Sequence, residues 1–338
     1  MNPVASILEP LRHLDIERWA GLRPAYPPVA VEFGRGEIVL ARLRRKRRAA
    51  PVLEAHAARG LPAQEPPGPA PHAGPTPSET MGSRLKEVLE ATGTRPGKIA
   101  LVLPDNLARV SLMSFPERPP NRKHLEEMIR FKLRRAVPFR LEEALLSYQV
   151  LPGDGRGVDL VVALMLRSAV EPYERAAEAA GARPGLVDLS TLALYNLCRR
   201  ELGRARSGGE DVALLNCAAG YFSLMIVRGS RPLFYRCKSF GSGEDESGAG
   251  AGTLSRELVT SLSYYQEKLG GAGIAATIVR TVAVPFPVVE DLLGRLGFGA
   301  VVPLDLGRCL GAAPGPGLDP EAAQRIAPAV GAAVGRSL

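Results

Sequence analysis

Val29, Val31 and Phe33 alternate with other residues, and Ile38, Leu40 and Leu43 resume the pattern beyond Gly34-Arg35-Gly36. Period-two apolar positions on both sides of a glycine turn predict a β-hairpin. Ser83 is the expected N-cap of the next helix, whose stripe is Leu85, Val88 and Leu89. Ile99 to Leu103 reads as a buried strand, and Val110, Leu112 and Met113 as another. Leu125, Met128, Ile129, Leu133 and Ala136 recur at helical spacing and predict an amphipathic helix from Asn121 to Ala136, stopped by Pro138. Strands at 147–151 and 158–166 follow, then a helix ending at Gly181, a strand at 186–189 and a helix at 192–202. Ser190-Thr191 reads as the N-cap of that last helix.

The same grammar restarts after a polar stretch at 204–210. Strands at 212–215 and 222–228 flank Ala218-Ala219-Gly220, and a third strand spans 233–238. The loop 241–252 lacks phosphate-loop spacing, and a helix with Leu254, Leu258, Leu262, Tyr265 and Leu269 on one stripe comes next. A strand at 274–279, a helix at 288–296 and a strand at 300–302 complete the unit. Asp319-Pro320 opens a terminal Ala-rich helix as N-cap and first residue, which Pro328 is expected to kink or break. Two halves that each open with a hairpin and continue in strand–helix alternation predict an α/β fold with internal duplication.

Composition narrows the class. The 338 residues are 46% hydrophobic and 23% charged, which fits a globular chain large enough for two cores. Glycine and proline cluster instead of repeating, most densely in the stretch 62–77, expected to be an extended loop without a core. No apolar run is long enough to span a membrane, and acidic residues in the first twenty exclude a secretory core, so a cytoplasmic protein is expected. Cys198, Cys217, Cys237 and Cys309 form no C-x-x-C pair and are expected as thiols, three of them buried. The net charge of +8 is concentrated in Arg42, Arg44, Arg45, Lys46, Arg47 and Arg48 and in Arg130, Lys132, Arg134 and Arg135. Such runs are solvated faces or sites for anionic lipid or nucleic acid; without interleaved aromatics, nucleic-acid binding is not expected. The histidines do not pair at metal spacing and G-x-S-x-G is absent, so neither catalytic nor metal-ligating residues are assigned.

Three segments carry a family likeness. Phe131-x4-Ala136-Val137-Pro138-Phe139-x2-Glu142-Glu143-Ala144-Leu145-x2-Tyr148-Gln149-Val150 is the first. Ala179-Ala180-Gly181-Ala182-Arg183-Pro184 with Val187-Asp188-Leu189 is the second, and Phe234-Tyr235-Arg236 with Ser261-Leu262-Ser263-Tyr264-Tyr265 the third. In this order they resemble the PilM family of type IV pilus assembly, relatives of FtsA in the actin/sugar-kinase/Hsp70 superfamily. The resemblance implies an actin-like ATPase fold of two related lobes with an inserted subdomain. The expected division is an arm at 1–28 anchored by Trp19, lobe 1 at 29–106 and 158–204, the insertion at 107–157, lobe 2 at 211–318 and a C-terminal helix at 319–338. It also implies a scaffold peripheral to the bacterial inner membrane, binding the cytoplasmic tail of a PilN-like bitopic protein and other platform components, with an anionic membrane surface as a further contact. The type II secretion protein GspL shares this fold and is the alternative reading. The resemblance further places the tail in a groove beside the insertion, near Leu103, Phe139 and Tyr148, with Arg130 and Arg134 as basic partners. Phe139 and Tyr148 read equally well as core of the insertion.

In that superfamily two hairpin turns hold the phosphates of ATP and a carboxylate in each holds magnesium through water. Here Glu32 stands for the first aspartate, with Gly34, Arg35 and Gly36 in its turn. Asn216 stands for the second, and Tyr221 and Phe222 follow Gly220 where small residues would leave room. Beyond Val279, Arg280-Thr281-Val282 replaces a glycine-rich turn. The departures imply a vestigial pocket, a pseudo-ATPase with no cofactor expected; an active Mg-ATPase is the alternative. The glycines also have a purely structural explanation, a positive φ in their turns.

Overall fold

The computed structural model describes residues 26–45, 50–62, 77–151, 157–205, 210–229, 231–240, 249–311 and 318–335. The N-terminal stretch around Trp19, Lys46 to Arg48 and most of the Pro-rich stretch lie outside the described residues.

Lobe 1 is built on β1 (Val29–Phe33), β2 (Glu37–Arg44), β3 (Val52–Gly60), β4 (Lys98–Leu103) and β8 (Arg183–Leu189), in spatial order β3-β2-β1-β4-β8. Lobe 2 uses β9 (Asp211–Ala218), β10 (Tyr221–Arg228), β11 (Arg231–Ser239), β12 (Ile274–Thr281) and β13 (Phe298–Pro303), in order β11-β10-β9-β12-β13. Counted within each lobe both orders read three-two-one-four-five, with antiparallel hairpins first and parallel strands after. The duplication inferred from the hairpin grammar is therefore a duplication of topology.

Helices α1 (Pro77–Ala91), α3 (Arg167–Ala179) and α4 (Ser190–Arg204) belong to lobe 1, and α5 (Ala249–Leu269) and α6 (Phe286–Arg295) to lobe 2. A short α7 (Leu306–Leu310) precedes α8 (Pro320–Val334). Between β4 and α3 sit β5 (Ala108–Phe115), α2 (Arg122–Arg134), β6 (Ala144–Val150) and β7 (Val158–Leu166). Their sheet runs β5-β7-β6. The insertion therefore extends to Leu166, not to 157, because β7 is its central strand and pairs on both sides with β5 and β6.

Burial follows this layering. β9 alternates Ala213, Leu215 and Cys217 into the core of lobe 2 with Val212 and Leu214 into the core shared with lobe 1. A strand covered on both faces reads as a continuous apolar run, as β9 does. Leu125, Ile129 and Leu133 of α2 close the insertion's own core with Leu160, Val162 and Leu164. Cys198, Cys217 and Cys309 are buried thiols and Cys237 is half-buried, as expected.

Several local expectations change. α1 already begins at Pro77, so Ser83 is an exposed residue inside the helix and caps nothing. Proline suits a first helical turn, which starts this helix upstream of the serine. The strand β3 and the helix α7 carry no clear period in the sequence. α8 begins as expected, with Asp319 accepting from the Ala322 N–H at 2.7 Å, but it runs through Pro328 to Val334. Of the first turn's glycines neither Gly34 nor Gly36 has positive φ; Gly220, at +85°, does. Its αL backbone is the position that requires glycine.

Candidate interlobe site

The two hairpin turns face one another across a cavity of about 270 Å³. Glu32, Gly34, Arg35, Gly36 and Arg280 line it with Tyr221 and Arg325. Five of the seven residues assigned to the cleft thus meet at one cavity. Gly220 lies against its edge, where a Cβ would come 3.0 Å from Cδ of Arg35. Arg35 therefore reaches across from the first turn to the second. Tyr221 points into the cavity wall, whereas Phe222 turns into the core of lobe 2, as adjacent strand positions must.

Asn216, the seventh, sits just behind in a buried polar network. Arg280 Nη1 donates to Asn216 Oδ1 at 3.1 Å, and Arg280 Nη2 lies 3.4 Å from Glu32 Oε2. Both charged side chains are almost fully buried. Ser190 Oγ donates to Glu32 Oε1 at 3.0 Å, and Asn216 Nδ2 donates to Thr191 Oγ1 at 3.0 Å. Burial pushes Glu32 up to about 7, against the opposing pull of the Arg280 guanidinium and the Ser190 hydroxyl.

A second carboxylate organises the other side of the network. Asp105 is fully buried just past β4 and accepts from the Thr191 N–H at 3.0 Å, from the Thr191 hydroxyl and from Ser223 Oγ at 2.8 Å. It therefore caps α4 from a distance and ties that helix to β10 of lobe 2, where the helix dipole favours its charge. Ser190 and Thr191 are not the N-cap: Leu189 holds that position with no side-chain bond, and both hydroxyls serve Glu32 and Asp105 instead. Asp188, also buried, accepts from the Leu189 N–H at 2.8 Å and is pushed up to about 7 by its burial. Burial also raises Asp105 above the usual carboxylate range.

Arg280 reaches a third element. Its Nε donates to the Gln324 carbonyl at 2.9 Å, and Nη2 lies 3.4 Å from the Arg325 carbonyl. Gln324 is four residues before Pro328, so its carbonyl is the one that proline leaves without a helical donor. The guanidinium supplies the missing donor, which is why α8 continues where a break was expected.

The residues assigned to a partner groove are not gathered. Leu103 is wholly buried in the core of lobe 1, and Tyr148 is buried in the core of the insertion, its hydroxyl 3.4 Å from Glu126. Leu103 thus offers no surface, because β4 is an inner strand of its sheet. Phe139 is half-buried against the insertion's core, and Arg130 and Arg134 stand exposed on α2. Of the first basic run, Arg44 pairs with Glu54 at 3.0 Å and Arg42 with the same carboxylate at 3.7 Å. Arg45 donates to the Ala333 carbonyl at 3.0 Å, near the end of α8, and to Tyr26 O at 3.1 Å. These three cations are engaged within the chain. Asp105, Ser223 and Gln324 were not visible as site residues, since nothing periodic marks a lone polar residue whose partners lie elsewhere in the sequence.

The profile of the family described as type IV pilus assembly protein PilM matches residues 32–246. Among solved structures, a PilM-PilN type IV pilus biogenesis complex is 19% identical, covering 93% of this chain and 100% of that one at a TM-score of 0.76. The cytoplasmic domain of EpsL, an inner membrane component of the type II secretion system of Vibrio cholerae, is 12% identical over 83% of this chain and 91% of that one, at 0.47. The search of curated proteins found no match. The fold is the actin-like one, two related lobes with an inserted subdomain.

Proposed function

Because the chain belongs to the type IV pilus assembly protein PilM family, we propose that it is a cytoplasmic scaffold of the pilus assembly platform at the inner membrane. It docks the cytoplasmic tail of a PilN-like membrane protein, and its interlobe cleft serves as a clasp instead of a Mg-ATPase site. Among the described residues no helix is long and apolar enough to cross a membrane.

The observation that carries the clasp reading is Arg280, buried between Glu32 and Asn216. A magnesium site in such a cleft needs carboxylates free to hold the ion's water shell. Glu32 is instead paired with a guanidinium from its own chain, and Asn216 contributes no charge. Tyr221 lines the second turn's corner of the cavity with a bulky ring. The residues present do not fit Mg-ATP, and no phosphoryl-transfer step is derived for them. The cavity that remains is lined by Arg35, Arg280 and Arg325, which favours the rival reading of a retained nucleotide site enough to test it directly.

For the tail, the edge strand β6 offers the better surface. Leu145 packs toward lobe 1 and Leu146 toward the insertion's core, beside half-buried Phe139. An extended peptide adding to this edge would use main-chain bonds for affinity and neighbouring pockets for choice. Calorimetric titration of the purified chain with the cytoplasmic tail peptide of a PilN-like bitopic protein, and separately with Mg-ATP, tests both halves. Saturable heat with the peptide and none with the nucleotide is expected. Micromolar Mg-ATP binding abolished by Glu32→Ala would replace the clasp with a working site.

A further inference from the structure

The outward face of α2 has no role in the cleft or at the β6 edge. Lys123, Arg130, Phe131, Arg134 and Arg135 recur at three- and four-residue spacing on the stripe opposite Leu125, Ile129 and Leu133. Phe131 is 62% exposed, the most exposed large apolar side chain among the described residues. The guanidinium of Arg135 lies 5.4 Å from its ring centre. No hydrogen bond or ion pair engages Arg130 or Arg134 among the described residues; of the acidic groups of the helix, Glu126 pairs with Arg122 at 2.9 Å, and Glu127, exposed on the same stripe, lies 3.8 Å from the His124 ring. The face sets four cations and one carboxylate, Glu127, around a single exposed phenyl ring.

We propose that this face of α2 lies on an anionic phospholipid surface, with Phe131 entering the headgroup region and the flanking cations on the lipid phosphates. Charge complementarity demands an anionic partner. The choice between lipid and acidic protein rests on the apolar content. A stable protein interface needs a core of several buried apolar or aromatic residues. In the insertion Phe131 is the only exposed large hydrophobic among the described residues; Val259, Tyr264, Val282, Val288 and Val302 all belong to lobe 2. A bilayer surface needs no shape match, and long cationic stems with a single aromatic anchor suit it. Each cation near an anionic leaflet raises partition about fivefold, enough to orient a chain that a membrane partner already holds. The proposal gives a surface to the peripheral attachment proposed above, but its test does not involve the tail.

The test is cosedimentation of the full chain with vesicles of phosphatidylethanolamine containing phosphatidylglycerol, and with vesicles of phosphatidylcholine alone. Binding to the anionic vesicles that weakens with added salt is expected, with little on the neutral ones. Arg130→Ala/Arg134→Ala should lower partition about 25-fold. Phe131→Ser should lower it while leaving the salt dependence unchanged. All three positions are exposed, so thermal unfolding should not move. Equal partition of wild type and the double variant, or equal binding to neutral vesicles, would overturn the assignment. So would a polyglutamate peptide that displaces the chain from vesicles at stoichiometric amounts, which would give the face to an acidic protein.

Discussion

Replacing Arg280 by methionine separates the two jobs of the buried guanidinium. The variant keeps the aliphatic bulk but removes donors from Asn216 Oδ1 and the Gln324 carbonyl, and the counter-charge from Glu32. Orphaning a buried acceptor costs about 1–3 kcal/mol. The ionic part depends on pH, because Glu32 has a folded value of about 7, raised from 4.5 by burial. A carboxyl raised in this way stabilises the fold fully below 4.5 and loses that contribution as pH climbs through 7. Without Arg280 the folded value rises further, so the variant goes on losing stability where wild type has levelled off. Near pH 6 Glu32 is mostly neutral in both proteins, and the deficit should be the hydrogen-bond cost of the two orphaned acceptors alone, about 2–6 kcal/mol. Above pH 7 the gap should widen by about 1.4 kcal/mol per unit. Urea unfolding at several pH values measures this, with Glu32→Gln/Arg280→Met as the control in which the widening vanishes. A deficit that is the same on both sides of neutrality would refute the coupling between these two residues.

Three other outcomes follow from the same packing. Asp188→Asn should match wild type at and below pH 3.8 and then gain on it by about 1.4 kcal/mol per pH unit up to pH 7, since burial holds the folded Asp188 neutral to about 7 while the unfolded chain ionises from 3.8; parallel stability profiles across that range would exclude it. Gly331→Val should cost about 3 kcal/mol or more, because a Cβ there would sit 2.2 Å from the Ala193 carbonyl where α8 crosses α4; an unchanged melting temperature would mean the helices can part. Gly36→Ala should be close to neutral, as its φ is not positive and nothing lies within 4 Å of the added methyl, whereas Gly220→Ala should lose about 1–2 kcal/mol from its left-handed backbone and the Arg35 contact. Equal losses at the two glycines would contradict the distinction.

What the sequence made legible is what repeats at short range. The hairpins flanking Gly36 and Gly220, the stripe of α2 and the Asp319 cap of α8 each carry their signal within a dozen residues. β3 escaped because it is an edge strand rich in alanine, a residue with little preference for sheet. The boundary at 157 was wrong because β7 looks like any buried strand, and which sheet it joins is decided by pairing. The family resemblance points to Glu32, Asn216 and Arg280 by their place in or after the hairpin turns, but not to their contacts. Glu32 meets Arg280 across 248 positions, and Asp105 meets Ser223 across 118. Ser190 and Thr191 show the cost of local reasoning: a Ser-Thr pair before a helix is a fair capping signal, yet a distant carboxylate took the role and freed both hydroxyls for the cleft.

Pro328 makes the cleft and the C-terminal helix a single unit. A proline inside a helix strips one carbonyl of its donor and crowds the preceding turn, at about 3 kcal/mol when nothing compensates. Here that carbonyl belongs to Gln324 and points at Arg280, while Gln324 itself holds the Leu304 carbonyl through Nε2 at 2.7 Å. The residue that neutralises Glu32 is thus also the one that keeps α8 whole, and α8 packs on β1 and β2, the strands that carry Glu32 and its turn. Removing the proline should therefore weaken the dependence on the guanidinium. With Pro328→Ala the helix regains its own donor for Gln324, and Arg280→Met should then cost about 1 kcal/mol less than in the wild-type background. If Arg280→Met costs the same with and without the proline, the guanidinium serves Glu32 and Asn216 alone, and α8 bridges Pro328 by some other route.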